Sequence, residues 1–326
     1  MKKYIIFGIL LWMTCFFCGC KSTADEPITR QTILFDTIIQ IRIYDSDANS
    51  ILDKCINKCD YYENLFSRTV EGSDIYRINQ AAGTPVEVQP ETIALLETAL
   101  SYCELSDGAF DITLAPVSDL WDFQNNSGTF PDSDKLLECL ESVGYQSICI
   151  NGNTVQITNP NTQIDLGAIA KGYIADQLKL YLKENGIEHA LIDLGGNILA
   201  MGGKPDGNKF NIAIQKPFDT QGTPITTIKT MDDSIVTSGI YQRYVEINGK
   251  IYHHILNPKT GYPYDNALYS VTILSDSSTA ADALSTTCFA LGLENGLKLI
   301  NNLPNIEAIF ITDNYELIYS DGFPKQ

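Results

Sequence analysis

The feature that most constrains the fold is the pair Asn248-Gly249, set between two alternating runs, Arg243 to Ile247 and Lys250 to Ile255. Asn-Gly readily supplies the positive φ angles of a two-residue type I′ turn, whose twist matches an antiparallel pair. The chain must therefore double back here and contain antiparallel sheet. His253 and His254 end the returning run, and a period of two turns them to opposite faces, so at most one can enter a given pocket. The Asn257-Pro-Lys-Thr-Gly-Tyr-Pro263 that follows cannot continue a ladder, because each proline lacks an amide hydrogen and Gly261 is free to take positive φ. A histidine at a strand end beside such a turn suits chemistry and a structural role equally.

The 326 residues suffice for one large domain or two smaller ones, and 44% hydrophobic with 19% charged is the balance of a globular protein. A net charge of −18 argues against nucleic acid as a partner, since a basic face supplies most of that affinity. An acidic chain that holds an anionic ligand needs a cation, a helix N-terminus or a few placed Lys and Arg residues.

Met1 to Cys20 reads as an export signal, with Lys2 and Lys3 ahead of an apolar core, Tyr4 to Phe17, that is short for a membrane span. Gly19-Cys20 resembles a bacterial lipobox, in which Cys20 is acylated and becomes the first mature residue; Phe17 and Cys18 stand where Leu and a small residue are usual. An ordinary cleaved signal or a short anchor are the alternatives. The expected organisation is a signal at 1–19, a tether at 20–30 and one domain at 31–326, lipid-anchored on the exported side of a bacterial membrane. Without the signal the charge balance is 20 minus 40, or −20. Beyond Cys20 six cysteines remain, an even number that an exported protein could pair in disulfides, but Cys55, Cys59, Cys103, Cys139 and Cys288 fall on apolar sides of helical patterns, as buried thiols do. Without CxxC pairs or nearby histidines they make a poor metal site.

Taken in order, Thr32–Tyr44 reads as a strand and Ser46–Phe66 as a helix with Ile51, Cys55, Cys59 and Tyr62 inward, followed by a polar loop, Ser67–Asn79. Pro90–Leu105 is a helix opening on proline, and Ser106 to Asp111 a tight turn presenting Phe110 and Asp111. Asp132–Val143 is a helix stopped by Gly144, and a hairpin turns around Asn151-Gly152. Ile164 to Leu166 is strand-like and leads into a helix over Ala168–Asn185. Asp165 thus precedes a helix and Lys171 lies in its first turns, where free amides and the dipole favour anions. His189–Leu194 is a strand, with His189 a surface residue. Gly195-Gly196-Asn197 either brings backbone close to another surface or only turns the chain; it is not the GxGxxG of a dinucleotide fold. Further strands are expected at Phe210–Gln215, Thr226–Lys229, Ile235–Val236 and Ser270–Leu274, a helix at Ser277–Leu291, and a final hairpin around Asp313-Asn314. Neither repeats nor an internal linker interrupt the chain, so one compact α/β unit is expected.

On the late helix Asp282, Ser285 and Thr286 share one face. These are hard oxygen donors, too few for a calcium cage but suited to Mg²⁺ if phosphate and water complete the octahedron. The alternative is a capped, solvent-facing helical turn. With the anion-friendly turn at Asp165 to Lys171, the face would make a pyrophosphate site in an acidic protein.

SDGAFDIT, IDLGAIAKGYIAD, ALIDLGGNI, VTSGIYQRY, HHILNPKTGYP and TAADALSTTCFALG, in that order, resemble the ApbE family of FAD:protein FMN transferases over nearly all of the mature length. The resemblance implies an α+β, T-fold-like unit of mixed, largely antiparallel sheets with packed helices. It also implies Mg²⁺-dependent transfer of the FMN half of FAD to a Thr or Ser hydroxyl of an exported acceptor protein, a redox subunit being the natural partner, with release of AMP. The ion would be held by Asp282, Thr286 and the carbonyl of Ala168; Ser285 stands where some members carry a second aspartate. FAD would lie along Ala109, Phe110, Asp111, Asp165, Lys171, Thr237, Ser238, Gly239 and Leu256, with Phe35 of Phe35-Asp36-Thr37 in place of the family's Met-Gly-Thr. His254 would be the base and His253 structural. Asp111 and Asp165 taken singly could instead cap turns. The same residues would serve Mg²⁺-dependent hydrolysis of FAD to FMN and AMP, and a lipid-anchored flavin carrier or a lipoprotein without ligand are the non-enzymatic alternatives.

Overall fold

The computed structural model describes residues 26–126 and 128–324; the export signal, Cys20 and most of the tether lie outside the described residues. In chain order the strands are β1 (Ile28–Leu34), β2 (Thr37–Ile43), β3 (Val86–Glu87), β4 (Ile148–Asn151), β5 (Thr154–Ile157), β6 (Ala190–Leu194), β7 (Asn197–Met201), β8 (Phe210–Gln215), β9 (Pro224–Thr230), β10 (Ser234–Gly239), β11 (Tyr244–Ile247), β12 (Lys250–His253), β13 (Leu268–Ser275), β14 (Ile306–Thr312) and β15 (Leu317–Tyr319). The helices are α1 (Asn49–Phe66), α2 (Asp74–Gln80), α3 (Pro90–Leu105), α4 (Ala115–Trp121), α5 (Ser133–Leu140), α6 (Ala170–Glu184) and α7 (Ser278–Ile300).

The spine is an eight-stranded sheet in the order β1-β2-β6-β7-β10-β13-β14-β15, with β3-β5-β4, β8-β9 and β11-β12 beside it. Pairing within every sheet is antiparallel, as expected from the hairpin signals. Strand alternation divides the apolar residues between two layers. Val236, Val271, Ile273, Ala308 and Phe310 meet Leu284, Cys288 and Phe289 of α7. Their neighbours Ile235, Leu274, Ile309 and Ile311 meet Ile212, Ile214 and Ile228 of the β8–β9 ribbon on the opposite face. At the other end of the sheet Ile39, Ile41, Ile192 and Leu194 pack with Leu52 of α1, Leu96 of α3 and Ile174 of α6. Each such fully buried side chain contributes about 1.5–3 kcal/mol. A fourth cluster joins α4 and α5 to β11–β12 around Trp121, whose Nε1–H donates to the Gly261 carbonyl at 2.8 Å. Gly261 has φ 70°, and a Cβ there would lie 2.7 Å from Leu136, so the turn after the histidines needs glycine.

Several elements differ from the sequence expectation. The single strand over Thr32–Tyr44 is a hairpin, because Phe35 and Asp36 both take φ 54° and reverse the chain; β1 starts at Ile28, so the end of the expected tether is already sheet. The polar loop contains α2, whose start is fixed by Ser73 accepting from Tyr76 N–H and by buried Asp74 accepting from Gln89 N–H and the Thr92 hydroxyl. Ile164 to Leu166 is not a strand: the Asn79 carboxamide bonds both backbone groups of Ile164, taking the place of a strand partner. Gly195-Gly196 is a turn leading into β7, an unforeseen strand. α5 ends at Leu140, short of Val143, and α7 resumes after a break at Gly292 (φ 77°, ψ 176°) and runs on to Ile300. His189 is half-buried rather than superficial, with Nδ1 3.1 Å from the carbonyls of Gly202 and Gly203. Cys55, Cys59, Cys103 and Cys288 are buried free thiols as expected, and burial pushes each up to about 12; Cys139 is partly covered and Cys149 exposed. No described helix is long and apolar enough to cross a membrane.

Candidate active site

The period of two in β10 turns Ser234, Val236 and Ser238 toward α7. The Ser234 hydroxyl lies 2.8 Å from that of Ser278, and the Ser238 hydroxyl 2.7 Å from Ser285 Oγ and 2.9 Å from Thr286 Oγ1. Four strand residues and seven to eight helical residues both span roughly 11–13 Å, so strand and helix stay in step. The face carrying Asp282, Ser285 and Thr286 therefore points into the seam between sheet and helix, not to solvent. Asp282 is 4% exposed and Ser285 fully buried, its hydroxyl also donating to the Asp282 carbonyl. Thr237, one residue out of phase, pairs with Thr272 across the sheet at 2.8 Å.

The first turn of α6 abuts this face. The N–H of Gly172 donates to Asp282 Oδ2 at 2.9 Å. In a regular helix that amide would reach back four residues, to the Ala168 carbonyl. Diverted to Asp282, it leaves the Ala168 oxygen with no hydrogen-bond donor among the described residues. The close approach depends on glycine: a Cβ on Gly172 would lie 2.3 Å from the Ser278 carbonyl oxygen. Burial pushes the Asp282 carboxyl above its ordinary range, against the pull of Lys171 and of the Gly172 N–H. Lys171 donates to the Gly167 carbonyl at 3.0 Å and forms no salt bridge among the described residues.

A buried carboxylate with one hydrogen bond among the described residues, a carbonyl without its helical donor and the Thr286 hydroxyl are all oxygen donors and together carry one charge. Such a set fits a hard cation that keeps water and phosphate ligands, and does not fit zinc. Among the described residues no three or more His, Cys, Asp or Glu side chains gather into a cage.

The two early aspartates are turn caps. Asp111 Oδ1 accepts from the Thr113 N–H (2.8 Å) and hydroxyl (2.6 Å), and Oδ2 from Tyr145 N–H (3.2 Å); burial still raises its carboxyl. Asp165 Oδ1 accepts from Gly167 N–H at 2.8 Å, and Oδ2 pairs with Arg68 Nε at 2.9 Å. Arg68 also grips Asp119, a tie between distant segments that no local pattern announced. Asp165 N–H donates to Ile112 O at 2.8 Å, joining the two turns, and Tyr264 OH donates to Ala109 O at 2.9 Å, docking the loop after the histidines onto them. Phe110 is buried in the cluster against which Phe35 and Ala168 also pack. Phe35 N–H is held by Glu63, and Thr37 lies where a Cβ of Gly195 would be. A Cβ on Gly239 would meet the Tyr241 ring at 2.5 Å. Leu256 bridges to Pro263 and belongs to the Trp121 cluster, apart from the α7 face.

The histidines separate as alternation requires. His253 is buried edge-on to Phe289, with Nε2 at 2.9 Å from the Tyr264 carbonyl and Nδ1 accepting from Ile255 N–H; burial lowers it to about 4. In His254, half-buried, the backbone N–H and Nδ1 both meet the Arg243 carbonyl at 3.1 Å. A carbonyl only accepts, so Nδ1 carries the proton and the lone pair is on Nε2, which has no partner among the described residues. Burial lowers His254 to about 4, with His253, Arg243 and Lys171 acting in the same direction. Lys171 acts electrostatically on both His254 and Asp282. Two surface concavities, beside Lys183 and Met201 and beside Thr227 and Phe323, contain none of these groups.

Neither the Gly172 contact with Asp282 nor the Asn197 contact with Ser278 is set by a local sequence pattern, because each joins residues far apart in the chain. A glycine among the first residues of a helix was the one local sign of the α6–α7 approach.

Comparison with known proteins identifies the family to which the chain belongs. The model of the ApbE family matches residues 35–310. A Treponema pallidum protein named FAD:protein FMN transferase is 32% identical, over 99% of this chain and 96% of its own, and a Klebsiella pneumoniae protein of that name is 35% identical over 88% and 90%. Among solved structures, the ApbE protein of Thermotoga maritima superposes with a TM-score of 0.83 at 29% identity, and the flavin transferase ApbE of Vibrio cholerae with 0.82 at 28%, each over 91% of this chain and 98% of the other. A chain that carries these turns on this sheet, and matches along this much of its length, belongs to the ApbE family.

Proposed function

We propose that the protein is an FAD:protein FMN transferase that moves the FMN half of FAD, with Mg²⁺ bound, to a Thr or Ser hydroxyl of an exported acceptor protein and releases AMP. The activity is supported by the name its relatives share. The observation that carries the rest is the Gly172 amide, which donates to Asp282 and leaves the Ala168 carbonyl without its helical donor. These three groups would hold the ion, with Ser285 and Ser238 bracing the Thr286 hydroxyl. When bound, Mg²⁺ supplies charge neutralisation on the pyrophosphate and on the departing phosphate.

The chain's own residues account for the proton and the anion. The acceptor oxygen forms a bond to the FMN phosphorus as the bond to the AMP phosphate breaks, and the hydroxyl proton passes to His254 Nε2. The Arg243 carbonyl fixes the tautomer that makes Nε2 the acceptor. The low proton affinity of His254 keeps it neutral at physiological pH, and the negative pyrophosphate raises it toward the range of an effective base. Lys171 and the N-terminal turn of α6 favour the phosphates. Export and lipid anchoring are read from Met1 to Cys20, and on that reading the acceptor is an exported protein, a redox subunit by preference, outside the membrane.

The test is AMP release from FAD by the chain from Ser22 onward, which holds every described element, with and without Mg²⁺ and a Thr-bearing acceptor protein. Release requiring both, with a gain of FMN mass on the acceptor, is expected. Release with metal alone would indicate hydrolysis, and bound flavin without release a carrier.

A further inference from the structure

The turn Gly195-Gly196 delivers Asn197, first residue of β7, into the same seam. Asn197 is 1% exposed and lies opposite Val236 in the β7–β10 pairing, so its side chain faces α7. Its Oδ1 accepts from the Ser278 hydroxyl at 2.8 Å, and Ser278 is in turn 2.8 Å from the Ser234 hydroxyl. Nδ2 is buried and has no hydrogen-bond partner among the described residues. Ser278 and Asp282 are one helical turn apart on one face, so an amide held at Ser278 by its oxygen turns its nitrogen toward the Asp282 carboxylate. The reversed amide would set Oδ1 against a carboxylate that only accepts. No hydrogen bond of ordinary length joins the carboxamide nitrogen to the carboxylate.

We propose that Asn197 is a positioning residue for Asp282: clamped through its oxygen by Ser278, it offers its unpaired N–H to the carboxylate and fixes the rotamer that presents Asp282 to the cation. Gly172 anchors one carboxylate oxygen from α6, and Asn197 supplies the second anchor from the sheet. Asp282 is then tied to both layers that the site joins. An orphaned buried N–H is disfavoured unless a partner reaches it, and a slight turn of the carboxylate as it takes up an ion would supply that partner. The inference rests on the reading of Asp282 as the metal ligand.

The test uses Mn²⁺ as a spectroscopic substitute for Mg²⁺, titrated into the FAD-loaded mature protein without acceptor and followed by electron paramagnetic resonance, for wild type, Asn197→Ala, Asn197→Asp and Ser278→Ala. Asn197→Ala is expected to weaken Mn²⁺ binding by about 10- to 100-fold with FAD affinity unchanged, and to raise the half-saturating Mg²⁺ concentration for AMP release while kcat recovers at saturating metal. Asn197→Asp should weaken Mn²⁺ as strongly, and Ser278→Ala, which frees the amide to rotate, by a smaller factor. Wild-type Mn²⁺ affinity in a folded Asn197→Ala protein overturns the proposal. Should that variant fail to fold, unchanged affinity in Ser278→Ala overturns it. A wild-type protein that transfers FMN without binding Mn²⁺ would instead remove the metal reading, and this proposal with it.

Discussion

Replacing Gly172 with alanine would test the junction of α6 and α7 directly. The added methyl would lie 2.3 Å from the Ser278 carbonyl oxygen and 2.7 Å from Asp282 Cβ, and the first of these contacts is with backbone, which cannot rotate away. Restoring ordinary contact requires the helices to part by roughly 1 Å. That movement stretches the Gly172 N–H to Asp282 contact from 2.9 Å to roughly 4 Å, beyond hydrogen-bonding range. Overpacking costs about 1–3 kcal/mol and loss of a hydrogen bond to a buried charge about 1.5–3 kcal/mol, against about 1 kcal/mol gained from alanine's helix propensity. The balance is a destabilisation of about 3 kcal/mol, a fall in Tm of about 5 °C for a domain of this size. Thermal unfolding by circular dichroism reads the first effect, and the Mg²⁺ dependence of AMP release the second, since the variant should need more metal. An unchanged or raised Tm would mean that helix propensity prevails and that the close contact does not hold the two helices in place.

His254→Ala should keep FAD bound and slow transfer by about 10²- to 10⁴-fold, whereas His253→Ala should lose stability and shift the acceptor kinetics less; equal loss of transfer in both would assign the proton to the wrong ring. Asp282→Asn should abolish the response to Mg²⁺ with the fold retained, and AMP release that still rises with Mg²⁺ would remove Asp282 from the site. Both histidines sit at about 4 when folded and near 6.5 when unfolded. Between those values the unfolded chain binds more protons, so their contribution is lost as pH falls through that window, by at most about 3 kcal/mol each below pH 4. Asp111, Asp193 and Asp282, whose carboxyls are raised by burial, act in the opposite sense. The measurement is therefore the stability difference between wild type and His253→Gln across pH 4 to 6.5, which should narrow toward acid; a constant gap would refute the assignment.

What could be read from the sequence was what is local. Pro90–Leu105 has the expected bounds because proline opens it and its apolar spacing continues to the last turn. The hairpin at Asn248-Gly249 is in register, Ile247 opposite Lys250, because both turn residues favour positive φ. The reversal at Phe35-Asp36 was not visible, since Phe35 is no mark of positive φ, Asp36 alone is a weak one, and the surrounding β-branched run reads as one strand. α2 escaped notice because seven residues show little periodicity and its start is fixed by Asp74 contacts to Gln89 and Thr92 in the next segment. In the site, helical spacing placed Asp282, Ser285 and Thr286 on one face, but whether that face met solvent or Ser238 depended on a contact 48 residues away in the chain. The bond from Gly172 to Asp282 spans 110 residues and leaves no pattern in either segment.

The order of the central sheet, β1-β2-β6-β7-β10-β13-β14-β15, is also the order of synthesis. Every excursion into helices or a side ribbon returns the chain to the next vacant edge, so no strand has to be threaded between two already paired. A chain emerging from the ribosome or a translocation channel can thus extend the sheet by adding strands to one growing edge, and its exposed apolar face is covered as each helix follows. Asp282 and Thr286 come almost last. Ser238 is in place well before them, and the seam it shares with Thr286 closes only when most of the polypeptide has been made.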